Sequence, residues 1–224
     1  MSYQHLSKDD IVKEINTTGY YVLENYLSIE QCSQVISHFK GMIANNIQCG
    51  RGEGNDIRIA SYHKYSKIAN DFLNDQFIID IGTRCFGYPV NELSQRCQAC
   101  YLKYEKNKHN CSGGGWHVDC HNRQFKALLY LTDVTENNGA FKIIEKSRKS
   151  HKNVPSCDEL GKNRDTRYIL NDLENYYPKE QFTLLPAKAG TCIIADVSNI
   201  HRGTIIKSDE RIILMNYYYC RGLQ

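Results

Sequence analysis

No stretch of this 224-residue chain approaches the roughly 18 consecutive apolar residues of a membrane span, and the opening MSYQHLSKDD has no apolar signal core. An intracellular, cytoplasmic protein is therefore expected. An excess of charge of one sign is also missing: 28 Lys and Arg face 25 Asp and Glu, net +3, and the basic residues are scattered. That pattern predicts neither a nucleic acid nor a membrane partner, and an anionic small ligand at most. A second Cys-x-x-Cys is absent, so Cys97-x-x-Cys100 does not make a zinc finger; without a secretion signal the ten cysteines read as free thiols. The glycine-rich stretch NNIQCGRGEGND lacks the GK[ST] ending of a phosphate-cradling loop. No repeat, low-complexity tract or linker divides the chain, and 41% hydrophobic with 24% charged residues excludes disorder. One domain, 1–224, is expected.

Ser7 opens a short capped helix that Gly19 stops, and GYYVLENYL then reads as a strand. Ser28-Ile29-Glu30-Gln31 is a capping box, followed by Cys32, Val35, Ile36, Phe39 and Ile43 at helical spacing. Residues 45–66 read as a surface loop, and 68–86 as another helical pattern. From Leu93 the character changes to short runs rich in β-branched and aromatic residues, such as FKALLYLTDV, GTCIIADV and RIILMNYYY. Residues 146–180 interrupt them with a long polar segment. The order predicts an α+β chain, mainly β: residues 1–92 a mostly helical support, 93–224 a sandwich or barrel with an insert at about 146–180.

The chemistry-bearing residues begin in GGGWHVDCHN, residues 113–122. In a strand, side chains at i and i+2 share a face, so His117 and Asp119 can hold one ion while Val118 packs behind them. Alone, the tripeptide better describes a histidine oriented by a nearby acid in a polar strand end. A third ligand candidate, His201, follows the apolar strand GTCIIADV, and Arg211 opens RIILMNYYY ten residues later. Two histidines and a carboxylate on one face of an iron leave three positions open, the facial triad of non-haem Fe(II) oxygenases. A 2-oxo acid fills two of them and dioxygen the third. The far carboxylate of such an acid suits the planar fork of arginine.

With these residues in place the chain resembles the phytanoyl-CoA dioxygenase-like family of Fe(II)/2-oxoglutarate-dependent oxygenases. GYYVLENYLSIEQC is similar to the family's opening strand and helix, WHVD to its metal motif, LYLTDVTENNGAFKIIEKSRKSH to the following strand and turn, and HRGT with Arg211 to its closing motif. The resemblance implies a double-stranded β-helix (jelly roll, cupin-like) with helices packed outside. It implies His117, Asp119 and His201 as iron ligands, Arg211 as the partner of the 2-oxoglutarate C5 carboxylate, and dioxygen as second cosubstrate. Alternation from Asn138-Gly139 adds Lys126, and Tyr101 and Lys103 on the preceding strand, as further cosubstrate contacts. Two departures stand out: Lys146-Ser147-Arg148-Lys149-Ser150-His151 replaces a Gly-Ser-His, and Gly203 stands where a small polar residue is usual. Asp119 argues against a halogenase, which replaces that carboxylate with a small residue.

His121 shares the face of His117 and is expected near the substrate; Cys120 reads as a packed thiol, Trp116 as pocket wall or core, and Gly113 to Gly115 as a close or flexible approach. The expected reaction couples oxidative decarboxylation of 2-oxoglutarate to hydroxylation, or a related C–H oxidation, of a small polar or anionic metabolite. The alternatives are a protein or peptide side-chain hydroxylase, marked by an open groove at His117, and a non-catalytic binding protein on the same fold. The sequence does not fix an oligomeric state.

Overall fold

Serine and aspartate side chains cap the first four helices. The computed structural model describes all residues except 1, 2, 4, 48, 88, 91–95, 158–164 and 219–224. Ser7 accepts the Asp10 N–H at the start of α1 (Lys8–Thr18), which Gly19 ends with φ 104°. Ser28 and Gln31 cap α2 (Ile29–Ala44) reciprocally, each side chain accepting the other's backbone N–H. The helical pattern at 68–86 is two helices, α3 (Lys67–Leu73) and α4 (Gln76–Phe86). Asp75 separates them, its carboxylate accepting the Phe77 N–H at 2.8 Å. The same carboxylate accepts the Tyr3 and Tyr26 hydroxyls, at 2.5 and 2.7 Å, which ties the helices to the chain's start.

Among the described residues, twelve strands pair antiparallel throughout. They are β1 (Tyr20–Leu23), β2 (Cys49–Arg51), β3 (Ile57–Ile59), β4 (Arg96–Lys103), β5 (Trp116–His117), β6 (Phe125–Tyr130), β7 (Phe141–Ile144), β8 (Arg167–Tyr168), β9 (Phe182–Leu185), β10 (Cys192–Asp196), β11 (His201–Gly203) and β12 (Glu210–Tyr218). Seven form a large sheet in the order β1-β10-β6-β12-β4-β3-β2, and five a smaller one in the order β8-β5-β11-β7-β9. The central strands of the large sheet, β10, β6 and β12, are buried on both faces. Along β12, Ile212 and Leu214 pack toward the helices with Phe39, Phe72 and Ile78, while Ile213 and Met215 join Leu128, Phe141 and Ile143 between the sheets. Two antiparallel sheets with helices outside the larger one are the expected jelly roll.

Two segments depart from the sequence reading. Residues 45–66 are not a loop: β2 and β3 pair there, and β3 extends the large sheet by pairing with β4. Three-residue strands set among Gly50, Gly52 and Gly54 are too short to show an alternating period. Residues 146–180 likewise carry structure: β8 pairs with β5, and helix α5 (Leu170–Tyr176) packs Leu173 beside Trp116 and Tyr168 on the small sheet's outer face. The expected strand onset at Leu93 lies outside the described residues.

Candidate metal centre

Register brings the two histidines together. His117 ends β5, His201 begins β11, and they are direct cross-strand partners with ring centroids 4.3 Å apart. Each Nδ1 lies 2.9 Å from a carbonyl two residues earlier in sequence, that of Gly115 for His117 and of Asn199 for His201. A carbonyl only accepts, so both Nδ1 atoms carry the proton and both Nε2 atoms present lone pairs. Asp119 Oδ1 stands 3.3 Å from His117 Nε2 and 3.6 Å from His201 Nε2. Three acceptors thus face one point with no proton among them, and the buried His201 Nε2 has no hydrogen-bond partner. A cation resolves that arrangement, and two imidazoles with one carboxylate are the donor set that suits iron. Among the described residues this is the one His/Cys/Asp/Glu cluster of such closeness.

The electrostatics favour the ligating forms. Burial, then repulsion from His201, pushes His117 down to about 4, so its imidazole is neutral at physiological pH. Burial works against ionisation of Asp119, but Lys126 and the two imidazoles override it and hold the carboxyl well below the usual carboxylate range. Lys126 Nζ forms an ion pair with Asp119 Oδ2 and lies 4.4 Å over the Tyr217 ring.

Local backbone shape keeps the metal strand close. Gly113, Gly114 and Gly115 have φ of 82°, 68° and 112°, in the left-handed region where a Cβ is strained. At Gly113 a Cβ would also stand 2.6 Å from His117 Cε1. Gly113 is therefore a close approach to the imidazole, while at Gly114 a Cβ would meet Glu53 Cβ at 3.0 Å. Gly203 has a similar reason: a Cβ there would meet the Ser112 carbonyl at 2.8 Å, which explains the missing small polar side chain.

The triad opens into a cavity of about 230 Å³. Arg211 is buried to 2% and its Nη1 donates to the Gly139 carbonyl, but its Nε and Nη2 have no partner. A buried guanidinium with two unused donors calls for an anion in the cavity. Lys126 lines the same space, as do Arg58 and Arg167, which sequence reasoning missed. The fully buried Asp56 holds Arg58 through two hydrogen bonds, at 2.8 and 3.2 Å, and Ser112 braces Asp56. Arg167 pairs with Glu53 and donates to the Gly113 carbonyl at 3.0 Å. Arg58 sits between two isoleucines in a strand read as loop, and Arg167 lies in the polar insert, so neither carried a usable period.

Tyr101 and Lys103 are not brought to this cavity. Tyr101 pairs with Ile212 across the sheet and shares its helix-facing side, where its hydroxyl donates to Glu210 at 2.9 Å; Lys103 is exposed at the strand end. The inward residues of β4 are instead Cys100 and its i±2 neighbours Gln98 and Leu102. His121 also turns away. Its Nδ1 is 3.1 Å from His151 Nε2, the rings stack, and Nε2 faces Asp165 at 3.5 Å. Trp116 belongs to the cluster on the small sheet's outer face, the side opposite the triad. Cys97 and Cys100 lie on opposite faces of β4, and the nine described cysteines are free.

The jelly roll and its His-Asp-His cluster define an Fe(II)/2-oxoglutarate-dependent oxygenase. The family described as phytanoyl-CoA dioxygenase (PhyH) matches residues 15–212, and the chain belongs to that family. No curated protein matches it in sequence. Among solved structures, the epimerase SnoN in complex with Fe3+, alpha ketoglutarate and nogalamycin RO is similar, with TM-score 0.72 and 13% identity over 94% of this chain and 82% of that one. EctD from S. alaskensis, in its apoform, has TM-score 0.70 and 16% identity over 96% and 77%. A Pseudomonas putida prolyl-4-hydroxylase has TM-score 0.66 and 11% identity over 96% and 100%. At these identities the likeness is one of fold.

Proposed function

We propose that this oxygenase binds Fe(II) through His117, Asp119 and His201, seats 2-oxoglutarate against Arg211, and hydroxylates, or similarly oxidises, a C–H bond of a small polar or anionic metabolite. The observation that supports it most is the convergence of three lone-pair atoms beside a buried arginine with two unused donors. Iron and 2-oxoglutarate, when bound, supply the oxidising chemistry. The chain supplies geometry. The Gly115 and Asn199 carbonyls fix both imidazole tautomers, and Arg211 holds the far carboxylate of the cosubstrate with a fork that lysine cannot reproduce.

Lys126 is the remaining cosubstrate contact we propose. A metal that takes up the charge of Asp119 leaves the ammonium free to face a second anionic group, such as the carboxylate beside the keto carbon. Arg58 and Arg167 then line the space left for substrate, which is why a polar or anionic compound is the class that fits. Leu128, Phe141, Ile213 and Met215 supply the dry wall.

The test is a titration of the purified protein with Fe(II) under anaerobic conditions, followed by measurement of succinate formed from 2-oxoglutarate in air. Metal-dependent 2-oxoglutarate binding and slow succinate release without substrate are expected, with acceleration by one member of a metabolite pool. Absence of both binding and turnover would leave a barrel with a non-catalytic role.

A further inference from the structure

A second cavity, of about 560 Å³, opens on the outer face of the small sheet, away from the metal centre. Register sets its floor. Lys142 of β7 and Arg202 of β11 are direct cross-strand partners. One step from the His201–His117 pair, Arg202 also stands opposite Trp116. Lys142 Nζ lies 5.9 Å from the centre of the Trp116 ring and 5.7 Å from that of Phe182, and Arg202 Cζ lies 5.6 Å from Trp116. Two cations are thus held over one aromatic pair, both side chains half-buried.

Like charges directly opposite in an antiparallel pair destabilise a sheet. The strain is visible at Lys142: burial, then Arg202, pushes its amine down, and Glu174 opposes only in part. Among the described residues no carboxylate is in ion-pair contact with Lys142. Beside it the Trp116 indole N–H is buried with no acceptor. An anion between the two cations would relieve the repulsion, and its oxygens offer the acceptor that the Trp116 indole N–H lacks. Trp116, Phe182, Leu170 and Leu184 give the same cavity an apolar side that a bare inorganic anion does not use.

We infer that this cavity is a second binding site, for a small amphiphilic carboxylate whose head lies between Lys142 and Arg202 and whose apolar body rests on Trp116 and Phe182. It is separate from the oxygenase site, because Trp116 and Arg202 point to the face opposite their neighbours His117 and His201.

Trp116 is the only tryptophan, so intrinsic fluorescence reads this site directly. 3-Phenylpropionate titrated into the full chain is expected to change Trp116 emission saturably, and excess 2-oxoglutarate is not expected to displace it. In Lys142→Gln the probe should bind at least tenfold more weakly, while the variant without probe melts at the same or a higher temperature because a repulsive pair is gone. Neutral 3-phenylpropanol and inorganic phosphate should each bind at least tenfold more weakly than the acid. The proposal is overturned by an unsaturable wild-type response, unchanged affinity in Lys142→Gln, displacement by 2-oxoglutarate, or a lower melting temperature in the variant. A Trp116 shift that appears on concentrating the protein without probe would assign the face to a second copy of the chain, and would overturn it too.

Discussion

Replacing Arg211 with methionine tests the cosubstrate reading most directly. The side chain is 2% exposed and spends one donor on Gly139, leaving Nε and Nη2 for a carboxylate. Removing one partner of a buried, hydrogen-bonded charge pair costs about 2–5 kcal/mol. At 1.4 kcal/mol per decade that is about 30-fold to several thousand-fold in 2-oxoglutarate affinity. The variant itself should fold. Each orphaned donor costs roughly 1–3 kcal/mol in the ligand-free protein, so their loss offsets the loss of the Gly139 bond. With Mn(II) as a redox-silent metal, 2-oxoglutarate at about 100 times its Kd stabilises the wild type by about 2.7 kcal/mol. For a domain of this size that is a rise of about 5–11 °C in melting temperature. In Arg211→Met the same concentration should give less than about 1 kcal/mol, or at most about 4 °C. Arg211→Lys, with a point charge in place of a fork, should fall between. Refutation is an Arg211→Met protein whose 2-oxoglutarate affinity stays within about threefold of wild type, or one that loses the metal instead.

Other outcomes follow from the same geometry. His201→Ala should abolish Mn(II) binding measured by calorimetry, while His121→Ala, whose ring faces His151, should leave it within a few fold; the reverse result would misplace the ligands. Gly113→Ala should lower stability by about 1–3 kcal/mol, because its φ is positive, and should weaken metal affinity through the contact with His117; a variant unchanged in both would remove the close-approach argument. Iodoacetamide applied to the native protein at pH 8 should label the exposed Cys49 and spare Cys97 and Cys100. Both spared thiols are fully buried, and burial pushes Cys100 up to about 12; mass mapping that finds Cys100 among the first sites modified would contradict the fold of β4.

The triad was legible because its information is local: His117 and Asp119 are two residues apart, and His201 with Arg211 follows at a recognisable interval. Lys126 was placed on the cavity side by simple alternation, and the structure puts it beside Asp119. The same rule misplaced Tyr101 and Lys103, and the cause is physical. The middle of the large sheet is covered on both faces, so apolar residues of β4, β6 and β12 fall on both phases, and hydrophobicity alone does not say which phase points inward. Arg58 shows the opposite limit, since its strand has three residues and offered no period at all. Asn74 likewise ends one helix and Asp75 caps the next at a point where apolar spacing ran on undisturbed.

The strands that bear the two histidines are two and three residues long, and only one residue pair joins them. So little backbone pairing makes this seam of the small sheet a place for local opening, independent of the helix-backed side. A metal held by His117 and His201 spans that seam as a rivet. Metal content is then expected to govern the protein's lifetime as well as the proposed turnover: hydrogen exchange and protease nicking around residues 112–121 should slow when the centre is filled, and the metal-free chain should be the form that degradation removes first.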